Sequence, residues 1–164
     1  MEKLWERFFY SLEDKNPVNG LSRLVNNAET ISDYMEAGGI LSESTKKLSE
    51  LKDGDKVLIS EGCTHHRQCE DIGTVKIPGW IEEYTGVKPK YSFTSGGEFP
   101  EDPSGYTLIV HCGGCMLNEK QMHDRIARAK DAGVPIVNYG IAIAQMHNIL
   151  KRSLSPFPDL AAMV

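Results

Sequence analysis

The sequence predicts an α/β fold, a mainly parallel sheet of about four strands covered by helices and preceded by an N-terminal helical segment. Two observations carry this. Residues 1–52 place apolar side chains at helical spacing and contain no strand-like run. From residue 55 onward, short β-branched or apolar runs of strand length alternate with helical stretches, the pattern of a parallel sheet with covering helices.

The first predicted helix carries Leu4, Trp5, Phe8, Phe9 and Leu12 on one face and ends near Asn16-Pro17. A second repeats Leu21, Leu24, Val25, Ala28, Ile31 and Met35 and stops at Gly38-Gly39. A short third, "ESTKKLSELKDG", closes at Asp53-Gly54. These stripes read as packing faces, with a partner or dimer interface as the other use. The strands are expected at "KVLIS" (56–60), "KYSFTS" (90–95), "YTLIVH" (106–111) and "VPIVNY" (134–139). Helices are expected around "PGWIEEYTG", "NEKQMHDRIARAKDAG" and "IAIAQMHNILKRSL". The middle one is best specified. Asn118 is a good N-cap with Gln121 three residues on, Leu117 and Met122 are spaced for a hydrophobic staple, and Gly133 followed by Pro135 ends it. The tail "SPFPDLAAMV" reads as extended. Two segments follow, a helical lead-in over 1–52 and an α/β domain over 53–164.

The chain has 164 residues, enough for one compact core, and a net charge of −5 that argues against a nucleic-acid partner. No apolar run approaches a membrane span, and "MEKLWERFFYSLEDK" lacks a signal-peptide core, so the expected place is the cytoplasm. Four cysteines are too few for a disulfide scaffold and point instead to metal or redox chemistry.

Ligand sites of parallel sheets form at the carboxyl ends of the strands. Cys63 follows the first strand in "SEGCTHH", while His111, Cys112 and Cys115 follow the third in "HCGGC", so both segments should leave the same sheet edge. Cys115 lies just ahead of the helix opened by Asn118, whose N-terminus favours thiolate. Gly113 and Gly114 let backbone amides approach sulfur. Thiolates select zinc or iron–sulfur clusters over harder cations. The composite spacing, Cys63-Thr64-His65, then residues 66–110, then His111-Cys112-Gly113-Gly114-Cys115, is C-x-H-x45-H-C-x2-C.

This motif resembles the cluster-binding motif of HydF, the [FeFe]-hydrogenase maturation GTPase. The likeness extends through "DGDKVLISEGCTHH", "EDIGTVKIPGWIEEYTG", "HCGGCMLNEKQM", "AGVPIVNYGIAIAQMH" and "LSPFP", roughly residues 53–158. The resemblance implies a [4Fe–4S] cluster bound by Cys63, Cys112 and Cys115, with an exchangeable ligand on the fourth iron. It implies a scaffold that carries a transient diiron precursor to the apo-hydrogenase and works with two radical-SAM maturases. Full-length members also carry a GTPase domain and a dimerisation domain. This chain has no G-x4-G-K-[ST] phosphate loop, so GTP hydrolysis is not assigned to it, and the expectation is a non-enzyme. A homodimer fits both the family and the apolar N-terminal helices.

Several side chains compete for the fourth position. His65 and His111 stand at motif positions and can ligate iron or hydrogen-bond behind the thiolates. Glu61, two residues before Cys63, is a candidate labile oxygen ligand. Cys69 reads as a non-ligand thiol, although its loop lets it reach the site and close it. Solvent is a further candidate. Asn138, Tyr139 and Gly140 end the last strand at the same edge, where a turn with a helix cap is the simpler reading. His147 reads as a partly buried histidine. The other reading of the donor set is a structural zinc site, with Cys63, His65, Cys112 and Cys115 as a Cys3His tetrahedron. A thiol oxidoreductase using Cys112 and Cys115 leaves Cys63 and His65 unexplained.

Overall fold

The computed structural model describes residues 41–62, 71–114, 116–155 and 158–164. Residues 41–49 form α1, in which Leu41, Thr45 and Leu48 fall on one buried face. The buried hydroxyls of Ser44 and Thr45 donate back to the Leu41 carbonyl, at 3.1 and 2.9 Å, so neither is left unsatisfied. A turn at Gly54, with φ +82°, leads into β1, Lys56–Ser60. The strands β2, Lys90–Thr94, β3, Leu108–His111, and β4, Ile136–Asn138, follow. All pairings are parallel, in the order β2-β1-β3-β4. The sequence reading of an α/β fold with a parallel sheet holds.

Alternation along the strands divides the core. Val57, Ile59, Leu108, Val110 and Val137 face one layer, where Leu41, Leu48 and Leu51 pack with α2, Ile77–Thr85, and α4, Tyr139–Met146. The segment around α1 therefore shares the core of the sheet. Leu58, Ile109 and Ile136 face the other layer, beneath Ala129 of α3, Glu119–Asp131, and Val134. The N-terminus of α3 carries a complete capping box: Asn118 Oδ1 accepts from the Gln121 amide at 2.8 Å, and Gln121 Oε1 accepts from the Asn118 amide at 3.1 Å. Gly133, at φ +66°, ends the run as expected.

Three features depart from the sequence reading. A π-turn over Ile72–Lys76 precedes α2, capped by Asp71, whose carboxylate accepts from the Thr74 amide and hydroxyl. Pro78 has no amide to offer the Thr74 carbonyl, and the Ile77 amide instead bonds five residues back to Ile72. The expected helix over 141–154 is two pieces, α4 and α5, Leu150–Ser153, because Asn148 takes a left-handed φ of +57° between them. His147 is exposed at this break, not partly buried, with its ring 5.6 Å from Trp80. The tail is not extended: Pro158–Ala161 makes α6, and Leu160 is buried. Pro158 opens that helix, where its missing amide is no loss. The helices expected before residue 41 lie outside the described residues.

Candidate functional site

The register places Thr94, Ser60, His111 and Asn138 in one row across the carboxyl end of the sheet. Ser60, His111 and Asn138 are buried. The Thr94 hydroxyl donates to Ser60 Oγ at 3.0 Å. Asn138 Oδ1 accepts from the Ile141 amide at 2.9 Å and caps α4, which is the helix-cap reading of this residue. Its Nδ2 is buried with no partner among the described residues.

Cys112 leaves this row beside β1, and its amide donates to the Ser60 carbonyl at 2.9 Å. Its Sγ accepts two backbone N–H groups, from Gly62 at 2.9 Å and Gly114 at 3.3 Å. The Gly114 donor lies in the loop whose amides the sequence pointed to. The Gly62 donor was not foreseen, because only the folded sheet brings it 50 residues along the chain to the sulfur. Gly62 is tightly enclosed: a Cβ there would stand 2.7 Å from Leu117 Cγ and 3.3 Å from Gly114 Cα. Gly114 holds φ +62°, a conformation that glycine adopts without strain.

His111 is fully buried, and its two ring nitrogens are both engaged. Nδ1 lies 2.6 Å from the Cys112 carbonyl, which can only accept, so Nδ1 carries the proton. Nε2 then accepts from Arg125 Nη1 at 2.9 Å. Burial lowers the imidazole pKa to about 4, with the Arg125 charge adding to that against the Cys112 hydrogen bond. The ring is neutral at physiological pH, and in this arrangement it has no lone pair free for a metal. Arg125 itself was not singled out from the sequence. The signal was there, since it stands three residues after Met122 and four before Ala129, both on the buried face of α3.

Glu61 accepts a hydrogen bond from the Tyr139 hydroxyl at 3.3 Å, and its amide donates to the Thr94 carbonyl at 2.9 Å. Gly73 of the π-turn packs so closely on the Glu61 carboxylate and Tyr139 hydroxyl that a Cβ would overlap both. Burial, then the Glu61 carboxylate, then a Cys112 thiolate push the Tyr139 pKa well above its ordinary value, so the phenol stays a donor.

Cys63, His65, Cys69 and Cys115 lie outside the described residues. Among the described residues no group of three His, Cys, Asp or Glu side chains is placed to hold a metal. A cavity of about 190 Å³ lined by Glu43, Ile126, Lys130 and Ile136 sits at the amino end of β4, away from Cys112. No helix among the described residues is long and apolar enough to cross a membrane.

No curated protein matches the sequence. Residues 40–156 match the hydrogen maturase F tetramerization domain, and the chain belongs to that family.

Proposed function

We propose that this member of a hydrogenase-maturation family is a non-enzymatic scaffold or carrier. It holds a [4Fe–4S] cluster on Cys63, Cys112 and Cys115, and keeps one iron position exchangeable for a transient diiron precursor of the [FeFe]-hydrogenase site. The observation that carries this reading is the pair of amides on Cys112 Sγ, donated from both converging loops. Hydrogen bonds to sulfur are one of the levers by which a protein tunes a thiolate-held cluster. Gly62 and Gly114, which directly precede Cys63 and Cys115, are packed face to face. This supports convergence of the two segments that lead into the cysteines, and three thiols in the sequence motif are a donor set that fits the cluster.

Bound there, a cluster with three protein thiolates supplies one iron open to an exchangeable ligand. The chain's own residues do the remaining work. His111 spends both nitrogens on Cys112 and Arg125 and so shapes the thiolate's backbone. Glu61, oriented by Tyr139, is the candidate labile ligand at this rim, with His65 beside Cys63 as its competitor. Asn138 Nδ2 is a buried donor at the same sheet end. The apo-hydrogenase and the radical-SAM maturases as partners, the cytoplasm as location, and assembly of several copies through this domain belong to the same reading.

Anaerobic reconstitution with iron and sulfide tests it. The expected result is about four irons per chain, lost in Cys63→Ala, Cys112→Ala and Cys115→Ala and kept in Cys69→Ala. The EPR spectrum of the reduced protein should shift on adding cyanide or imidazole. One tightly held zinc with no iron uptake overturns the carrier reading and leaves a structural Cys3His domain. An unshifted spectrum overturns the open iron position.

A further inference from the structure

Arg125 is 5% exposed, yet none of its partners among the described residues is an acid. Nη1 donates to His111 Nε2 at 2.9 Å and to Ser60 Oγ at 3.4 Å, and Nη2 donates to the Gly96 carbonyl at 2.6 Å. Its guanidinium carbon lies 5.1 Å from the centre of the Phe99 ring. These groups satisfy donors, but none carries a compensating charge, since His111 Nε2 must keep its lone pair to accept from Arg125. Burying an unpaired guanidinium is among the heaviest penalties a core can carry, and arginine does not escape it by losing its proton. An apolar side chain would suit this face of α3, where Met122 and Ala129 are buried. The residue this cation reaches is Cys112: Arg125 Nη1 bonds His111 Nε2, and His111 Nδ1 bonds the Cys112 carbonyl, so two hydrogen bonds tie the guanidinium to the residue whose Sγ the Gly62 and Gly114 amides hold.

We infer that Arg125 is the built-in counter-charge of the thiolate site, a positioning residue that steadies Cys112 through His111 and biases bound metal chemistry toward its more negative state. The inference rests on the cluster reading above. One-electron reduction of a cluster adds a negative charge, and a fixed cation two hydrogen bonds from one of its ligand residues stabilises that state and raises the midpoint potential. The charge, not the shape of the side chain, is what matters.

The test is an EPR-monitored redox titration of the full chain, reconstituted with iron and sulfide, with dithionite as reductant. The variants are R125Q, which removes the charge, R125K, which keeps it, and S60D, which sets a carboxylate against the guanidinium and leaves Arg125 in place. R125Q and S60D should each weaken the reduced state about tenfold relative to the oxidised one, a midpoint about 59 mV more negative. R125K should stay close to wild type. If R125Q does not fold, R125M, neutral and of similar length, gives the same comparison against R125K. Full iron uptake with unchanged potentials in R125Q and S60D overturns the inference, as does an equal shift in R125K. Failure of the wild-type chain to take up iron is a different outcome, which removes the cluster reading and this inference with it.

Discussion

Replacing Gly62 with alanine probes the site through space alone. Gly62 is not among the glycines with positive φ, so alanine can adopt its backbone conformation, and any loss reports on what the methyl group meets. Leu117 Cγ, 2.7 Å from the built Cβ, must retreat by about 0.7 Å to reach ordinary contact, and Leu117 is itself buried. The Gly114 Cα at 3.3 Å is backbone and yields less readily. Forcing a methylene into a packed site costs about 1–3 kcal/mol. For a chain of this size that lowers the melting temperature by roughly 2–12 °C. Gly79 is the control. It lies inside α2 with nothing within 4 Å of a Cβ, so Gly79→Ala should stabilise by about 0.5–1 kcal/mol. Thermal and urea unfolding of the apo chains measure both. Equal stability of G62A and wild type would sink the claim that the two cysteine loops are in contact here.

Other expectations follow from the same geometry. Asn118→Ala removes the cap on α3 and should cost about 1 kcal/mol in urea unfolding, with the α/β fold retained. His111 imposes a pH dependence on the apo protein. Its folded pKa, about 4, lies below the ordinary histidine value of 6.5. Between those values the unfolded chain binds a proton that the folded chain refuses, so stability falls as pH falls through that window. The slope approaches about 1.4 kcal/mol per pH unit, and the total is roughly 3 kcal/mol. Urea midpoints at pH 7, 6 and 5.5 should show this slope, and its persistence in His111→Gln would assign it elsewhere. Finally, Val75 on the π-turn and Met116, which follows Cys115 in the sequence, are 51% and 68% exposed, apolar side chains suited to contacts between copies. Light scattering should give a multiple of the 18.2 kDa chain mass, lowered in the Val75→Lys/Met116→Lys double variant. A monomeric wild type would count against assembly through this domain.

The strands and the α3 cap were legible because they rest on local signals: β-branched runs, the Asn118–Gln121 spacing and the Gly133 stop. The convergence of Cys112 with the chain before Cys63 was legible too, since parallel strands deliver their following loops to one edge. What local pattern did not reveal was set by tertiary neighbours. The π-turn depends on Pro78 and on the Asp71 cap acting together. The break after Met146 turns on a single left-handed Asn148 inside an otherwise helical run. Gly62 belongs to no local pattern, and only the fold presses Leu117 and Gly114 against it. Arg125 was hidden by habit more than by physics, for an arginine on an apolar stripe is usually taken for a solvated neighbour of that stripe.

The cradle on Cys112 also constrains when the site can come into being. Its Gly62 donor lies 50 residues from the sulfur it serves, and the β1–β3 pairing that ends at Ser60 and His111 brings the two together. Parallel pairing over such a separation forms late, since loop closure must precede the contacts that reward it. A nascent chain displaying "HCGGC" alone has the thiols but not the Gly62 amide. A slip of one residue in register would carry that amide away from the sulfur. On the proposed reading, metal capture at this edge would therefore act as a proofreader of the finished sheet rather than as a nucleus for it.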